Sequence, residues 1–166
     1  MAITLATVAA LSATNALCAD KAEKPEKEAK LTKKDIPGAV LTAFEKSYPK
    51  ASIKEVGGET EDSVKIFEIE STDGGVRRTV TYTADGRVFE IEEVVALKDA
   101  PAPVQQAIAK EYPKGKVEKV EKVTKGDVAT FEIVAAQGKE RTEVVLDASG
   151  KVLETEKKGD RKKDND

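Results

Sequence analysis

Glutamate is the side chain in this sequence whose type and spacing could serve a chemical function. Glutamates alternate with apolar residues, as in Phe67-Glu68-Ile69 and Phe131-Glu132-Ile133, and in a strand such alternation places the carboxylates on one face. Paired carboxylates can act as acid and base in glycoside hydrolysis, or they can bind a hard cation such as calcium. Since strands of a small fold imply no deep pocket, these carboxylates favour a charged binding surface.

Other catalytic chemistry has few residues available to it. The sequence contains no histidine and a single cysteine, Cys18, which excludes the conventional Ser-His-Asp and Cys-His arrangements and the commonest soft metal ligands. Gly57-Gly58 and Gly74-Gly75 stand at predicted strand ends, without the strand-to-helix context of a phosphate-binding loop. We therefore predict a protein that is not an enzyme and has no cofactor and no catalytic or metal-ligating residues.

The overall charge also limits the choice of partner. The chain has 28 basic and 31 acidic residues and a formal net charge of −3, so it lacks the basic excess that a phosphate backbone requires. Nucleic acid is therefore not an expected partner. Charged residues make up 36% of the sequence, but apolar residues recur periodically in its middle part, which indicates a folded chain with a modest core.

The N-terminal segment predicts export. Residues 1–19 are apolar or small and carry no charge, and the small residues Ala16 and Cys18 suit a cleavage site for a signal peptide. The run is shorter than a membrane span and polar residues interrupt it, so no transmembrane anchor is expected. We predict a periplasmic or secreted protein, with a lipoprotein acylated at Cys18 as the alternative.

An internal repeat organises the rest of the chain. Shifting the sequence by 64 residues aligns it with itself without a gap, so that Tyr48-Pro49-Lys50 falls on Tyr112-Pro113-Lys114. The predicted organisation is a signal peptide (1–19), a charged linker (20–31), one module (32–95), a second module (96–158) and a charged tail (159–166).

Each predicted module has an α+β fold with the element order αββββ. A helix begins near Pro37 or Pro101 and ends at Tyr-Pro, because proline moves the preceding residue out of the α region. In the first module, strands follow near 52–57, 64–71, 76–83 and 87–94, and the helix packs on one face of their antiparallel sheet. A module of about 60 residues is only marginally stable alone, so the two copies should pack side by side or extend one sheet.

Turn residues predict the strand register. A two-residue Asp85-Gly86 turn would pair Tyr82 with Phe89, and a turn over 72–75 would pair Phe67 with Val80. Both pairings place apolar residues opposite each other, as a sheet with one buried face requires. The predicted core face carries Phe67, Ile69, Val80, Tyr82, Phe89 and Ile91.

The opposite, open face is the predicted binding surface. The same pairing places Glu132 opposite Glu143 and Glu143 opposite Glu156, which forms an acidic row with Glu68, Thr79 and Glu92 as its counterpart in the first module. Like charges that face each other destabilise a sheet mildly unless a cation or a basic partner offsets them. The candidate partner-binding residues are Glu68, Arg77, Glu90, Glu92, Glu132, Arg141, Glu143, Glu154 and Glu156.

These motifs resemble a known family. A helix that ends in Tyr-Pro, strands with Phe-Glu-Ile, and the closing Asp147-Ala-Ser-Gly-Lys-Val-Leu153 are similar to a PepSY-like module, and the tandem pair resembles the bacterial β-lactamase-inhibitor-like (BLIP-like) group. The resemblance implies an exported, non-catalytic protein-binding protein, such as an inhibitor or regulator of an exported enzyme, which binds through the open sheet face. The alternative is a cell-envelope sensor or cation-binding module in which surface carboxylates bind calcium.

Overall fold

The computed structural model describes residues 29–61 and 64–158 of the chain. The predicted signal peptide, residues 20–28 of the predicted linker and the predicted tail lie outside this part. The described residues form one antiparallel sheet in which each strand pairs with the next one along the chain, together with two helices on the sheet. The expected α+β class is confirmed.

The elements follow each other in the order αββββ twice, after one short strand. The strands and helices are β1 (Ala29–Lys30), α1 (Gly38–Ser47), β2 (Ser52–Glu61), β3 (Val64–Asp73), β4 (Val76–Thr83), β5 (Val88–Val94), α2 (Ala102–Glu111), β6 (Lys116–Lys125), β7 (Val128–Gln137), β8 (Glu140–Asp147) and β9 (Val152–Lys158). We call α1 to β5 the N-terminal half and α2 to β9 the C-terminal half.

The two halves share a single sheet. Strand β5 pairs with β6 over four residues of each strand, from Ile91–Thr124 to Val94–Glu121. Of the two arrangements expected from the sequence, the structure shows the extended sheet. Ala29 and Lys30, which fall in the predicted charged linker, form β1 and pair with Gly58 and Gly57 of β2.

The helices begin and end where proline and tyrosine predict. Pro37 and Pro101 are the N-cap residues, and the helices end at the residues before Tyr48 and Tyr112, both of which leave the helical region. Apolar residues four positions apart point from each helix into the core. They are Val40 and Phe44 in α1, and Val104 and Ile108 in α2.

Each half has its own hydrophobic cluster between its helix and the sheet. In the N-terminal half the helix covers Phe67, Ile69, Val80 and Tyr82. In the C-terminal half it covers Phe131, Ile133, Val144 and Leu146, which lie 64 residues further along the chain. Full burial of such a side chain contributes roughly 1.5–3 kcal/mol, so these clusters are the main source of stability.

The predicted register of the β3–β4 hairpin was wrong by two residues. Phe67 pairs with Tyr82, not with Val80. The turn consists of Gly74 and Gly75, with φ of 57° and 88°, and two consecutive positive-φ residues are what a two-residue hairpin favours. A shift of two residues keeps each side chain on its predicted face, so the core assignment survives.

The β4–β5 hairpin also differs from the prediction at its turn. Val80 pairs with Ile91, but Tyr82 pairs with Val88 instead of the predicted Phe89 because the ladder contains a bulge after Thr81. Phe89 was predicted on the core face, but it is half-buried and is not part of the N-terminal hydrophobic cluster. The ammonium of Lys125 lies 4.0 Å from the centre of its ring.

The turn of this hairpin explains the bulge. The Gly86 amide donates to the Thr83 carbonyl over 2.9 Å, and the Thr83 amide donates to the Arg87 carbonyl over 2.9 Å. Gly86 has a φ of 85°. The loop is therefore a three-residue turn closed by a glycine, and such a loop adds one residue to the strand.

Candidate functional site: the open face of the sheet

Carboxylates line the face of the sheet that the helices leave uncovered. Glu68 alternates with the buried Phe67 and Ile69, and Glu132 alternates with Phe131 and Ile133, so these glutamates point away from the helices. Strand pairing then extends the acidic surface over both halves. The glutamates on this face include Glu55, Glu68, Glu70, Glu90, Glu92, Glu121, Glu132, Glu143, Glu154 and Glu156.

The predicted acidic row is present only in part. Glu143 lies opposite Glu156 as expected, but Glu132 lies opposite Val145 and is only a diagonal neighbour of Glu143. The reason is the same two-residue shift that the β3–β4 hairpin shows, since the β7–β8 turn is equivalent to it.

The counterpart of this row in the N-terminal half changes in the same way. Thr79 lies opposite Glu92 as expected, whereas Glu68 lies opposite Thr81 instead of Thr79.

The densest negative charge lies where the two halves meet. We call Glu90, Glu92, Glu121 and Glu132 the central acidic group. Glu121 lies directly opposite Glu132, and Glu92 lies opposite Val123, which places Glu92 diagonally across the β5–β6 ladder from Glu121. The pairing of β5 with β6 therefore brings together carboxylates that are distant in the sequence.

The environment of the central acidic group raises the pKa of two of its carboxylates, those of Glu92 and Glu132. Burial, followed by repulsion from the other carboxylates of the group, raises the pKa of Glu92 to about 7. Burial raises the pKa of Glu132 as well, and repulsion from Glu143 adds to that rise. A group that is held charged at neutral pH under these conditions reduces the stability of the free protein, and a positive charge placed beside it would relieve that cost.

Basic side chains on the open face are engaged by glutamates of the chain itself. The Nζ of Lys119 lies 2.6 Å from Oε1 of Glu121, and the Nζ of Lys158 lies 3.1 Å from Oε1 of Glu143. In the described part of the chain no Lys or Arg forms an ion pair with Glu92 or Glu132. These two carboxylates are therefore the ones best placed to accept a positive charge from outside.

Arg77 and Arg141 do not stand beside the central acidic group. Arg77 lies at the start of β4, where its Nε is 3.8 Å from Glu70. Arg141 donates from Nε to Glu118 over 2.8 Å. Both arginines therefore pair with glutamates of the chain itself, and their role in partner binding stays a prediction.

The remaining predicted residues occupy two other places on the face. Glu68 and Glu92 line a shallow depression of about 350 Å³ in the N-terminal half, together with Glu55, Glu70 and Thr79. Glu154 is exposed on β9, at the far edge of the sheet.

Two residues of the site, Glu121 and Lys119, were not predicted from the sequence. No turn connects β5 to β6, so no sequence motif predicts which residues of these strands pair. The repeat itself carried a signal, since Glu121 replaces Gly57 and Lys119 replaces Glu55 between the two halves.

Within the described ranges, no three His, Cys, Asp or Glu side chains converge closely enough to hold a metal ion. None of the helices in the described part is long and apolar enough to cross a membrane.

The chain belongs to the PepSY-like, beta-lactamase-inhibitor-like family, whose model matches residues 21–90 and 65–154. This confirms the resemblance seen in the Tyr-Pro and Phe-Glu-Ile motifs. No curated protein matches the sequence.

Solved structures share the fold. A BLIP-like protein from Bacteroides fragilis superposes with a TM-score of 0.59 at 19% identity, over 76% of this chain and 91% of that one. A DUF2874 family protein from Bacteroides ovatus gives 0.60 at 21% identity, over 74% and 87% of the two chains. A "putative periplasmic" protein from Bacteroides eggerthii gives 0.64 at 21% identity, over 74% and 88%.

Proposed function

We propose that this chain is an exported, non-catalytic protein that binds a partner protein through the open face of its sheet. It consists of two tandem αββββ modules, 32–95 and 96–158, which build this face together. The partner presents a basic surface, and its Lys or Arg side chains approach the central acidic group.

The observation that carries this proposal is the position of Glu92 and Glu132. Both are half-buried, both have a raised pKa, and both lie at the junction of the two halves, where the face is continuous. Like charges concentrated on a surface steer a partner of opposite charge and disfavour other partners. A basic side chain at this junction would stabilise the charged form of both carboxylates.

Export is supported by the N-terminal pattern and by the relatives. Residues 1–19 have the composition of a signal peptide, and a structure with the same fold is named periplasmic. An exported enzyme is the narrower candidate for the partner, since a protein of the same fold is called BLIP-like. The alternative of calcium binding has no supporting geometry in the described residues.

A capture experiment with charge-reversed variants tests the proposal. The protein is immobilised and incubated with exported proteins of the source cells at low salt, and the captured proteins are quantified by mass spectrometry. Glu92→Lys combined with Glu132→Lys should abolish capture of the partner and leave the fold intact, because each lysine then lies beside a glutamate of the central acidic group.

The matched control reverses two charges on the helices. Glu45→Lys combined with Glu111→Lys changes the net charge by the same amount, but Glu45 lies on α1 and Glu111 on α2, both exposed on the covered side of the sheet. This control should capture the partner as the unmodified protein does. Equal capture by both variants at the same salt concentration would show that the open face is only a solvated surface.

A further inference from the structure

The N-terminal half has a groove between the end of α1 and the start of β2. The groove has a volume of about 540 Å³, and most of its lining is apolar, namely Phe44, Tyr48, Pro49, Ala51 and Ile53. We call these five residues the apolar groove. The centres of the Phe44 and Tyr48 rings lie 5.4 Å apart, and Phe44 belongs to the N-terminal cluster, against which Tyr48 and Ile53 pack. The groove therefore exposes part of the packing between the helix and the sheet.

The C-terminal half has a leucine at the equivalent place. Leu97 corresponds to Lys33, which lies 64 residues earlier in the chain, and each of the two begins a short 3-10 helix that precedes the α-helix of its half. Leu97 packs against the C-terminal cluster, as does Tyr112, the equivalent of Tyr48. The depression beside Leu97 measures only about 280 Å³, and no residue of α2 lines it. The comparison of the halves thus indicates that a leucine side chain fits this place.

Lys33 does not fill the groove in this way. Its Nζ lies 3.2 Å from Oε1 of Glu45 on α1, and the two side chains are 58% and 61% exposed. The equivalent residues of the C-terminal half, Leu97 and Ala109, are both apolar. An ion pair with this exposure contributes little to stability, so its two side chains separate at small cost. An exposed charge pair therefore stands at the rim of a groove that the other half fills.

We propose that the apolar groove binds a leucine-size side chain carried by a polypeptide segment of a partner protein, in the place that Leu97 fills in the C-terminal half. A polypeptide matches the rim as well as the groove. The Lys33 ammonium is a donor and the Glu45 carboxylate is an acceptor, and the carbonyl and amide of a peptide group require one of each. A groove of about 540 Å³ has room for the side chain and the backbone next to it.

This site is separate from the central acidic group. The apolar groove lies on the side of the sheet that the helices cover, since Phe44 belongs to α1 and Ile53 packs against the N-terminal cluster. Glu92 and Glu132 lie on the opposite, open face. The two charges at the rim of the groove cancel, so the groove does not select a basic partner. Binding in the groove therefore does not require the function proposed for the open face.

Two blocked tripeptides test the groove in the full chain. Acetyl-Ala-Leu-Ala-amide and acetyl-Ala-Ala-Ala-amide are titrated into the isotope-labelled protein, and the backbone amide shifts are followed by NMR. The leucine peptide should shift the amides of Phe44, Tyr48 and Ile53 saturably. Its Kd should be lower than that of the alanine peptide by about tenfold or more, because the leucine buries additional apolar surface.

Exchange of the rim residues between the halves gives matched variants. Lys33→Leu combined with Glu45→Ala gives the N-terminal half the rim of the C-terminal half. This variant should melt at a higher temperature, because the new leucine fills the groove, and it should lose its response to the leucine peptide. The reverse exchange, Leu97→Lys combined with Ala109→Glu, should open an equivalent groove and add a second set of responding amides near Tyr112.

Four results would overturn the proposal. The first is a response of the unmodified chain to the leucine peptide that is absent or no stronger than its response to the alanine peptide. The second is an undiminished response of the Lys33→Leu, Glu45→Ala variant. The third is a folded reverse variant without a second set of responding amides. The fourth is a shift of the groove amides that grows with protein concentration alone, which would assign the groove to a second copy of this chain.

Discussion

The two halves of this molecule have the same backbone and different cores. In the N-terminal half, Arg78 lies beneath α1 with its Nη2 2.6 Å from Glu93, and its guanidinium lies 4.3 Å from the centre of the Tyr48 ring. The hydroxyl of Tyr82 is buried nearby, and burial raises the pKa of Tyr82 to about 12. The C-terminal half has Thr142, Lys157, Tyr112 and Leu146 at the equivalent places.

This difference shows that the fold does not depend on the polar cluster. Helix, strands and turns keep their positions when Tyr82 becomes Leu146 and the ion pair is absent. The positions that stay apolar in both halves, such as Val40 with Val104 and Ile69 with Ile133, are fully or almost fully buried. The common backbone therefore follows from the apolar positions and the turn glycines.

The open faces also differ, but here the C-terminal half carries the additional charged residues. Glu121 and Glu143 of the C-terminal half replace Gly57 and Thr79 of the N-terminal half. These replacements concentrate negative charge at the junction and toward the C-terminal edge. The N-terminal half instead has a shallow depression over Gly57.

The largest effect should come from the turn glycines that both halves share. Gly150 has a φ of 81°, and a Cβ at this position would lie 2.5 Å from the Pro103 carbonyl oxygen. Gly150→Ala should therefore destabilise the protein by about 3 kcal/mol in chemical denaturation, through backbone strain and the clash with α2.

Gly138→Ala is the control for this glycine. Gly138 has a φ of 66° but nothing within 4 Å of its Cβ position, so only the strain remains, about 1 kcal/mol. Gly86, with its Cβ position 2.7 Å from the Ala39 carbonyl oxygen, should behave as Gly150 does. Similar losses at Gly138 and Gly150 would show that contact between this turn and the helix is unimportant.

The next largest loss of stability should come from Arg78, a residue that only the N-terminal core contains. The Arg78 side chain is only 12% exposed and pairs with Glu93, so Arg78→Ala leaves a partly buried carboxylate without its partner and should cost about 2 kcal/mol. Thr142→Ala, the equivalent change in the other half, should cost less than about 0.5 kcal/mol.

A double-mutant cycle with Glu93→Ala identifies the cause. If the ion pair accounts for the loss, the double variant should be about as stable as Arg78→Ala alone. Full additivity of the two losses would instead assign the effect to packing of the arginine on Tyr48.

The smallest effect should be the dependence of stability on pH through the central acidic group. Folding raises the pKa of Glu92 from its usual 4.5 to about 7, so the folded protein favours the protonated form. The stabilising contribution is fully present below pH 4.5 and is lost as the pH rises toward 7. After allowance for solvent screening of a half-exposed group, the loss is about 1 kcal/mol.

Glu92→Gln should remove this part of the pH dependence and stabilise the protein at neutral pH. Glu156→Gln is the control, because Glu156 is the equivalent residue of the C-terminal half, exposed and paired with Lys158. Thermal melts between pH 4 and pH 8 measure both variants, with the window taken from the pKa range of Glu92. A steep decline that remains in Glu92→Gln would place the responsible titration elsewhere.

The sequence by itself determined the elements and the faces. Tyr48-Pro49 and Tyr112-Pro113 predicted the helix ends, and the alternation around Glu68 and Glu132 predicted which residues turn away from the helices. These features depend on local dihedral preferences and on a side-chain period of two, and neighbouring residues alone specify both. The register error in the β3–β4 hairpin left the faces of its strands correct because the shift was even. The bulge in the β4–β5 ladder shifted the pairing by one residue and removed Phe89 from its predicted place in the core.

Only the tertiary structure determined which residues of one half lie next to which residues of the other half. The β5–β6 pairing places Glu92 near Glu121 and creates the central acidic group, and β1 covers the equivalent edge of β2. No turn joins β5 to β6, and a whole helix separates them in the chain, so neither turn chemistry nor periodicity carries their register. The register between β5 and β6 follows from how the two helix-covered cores fit along one sheet, and that fit is a property of the folded molecule as a whole.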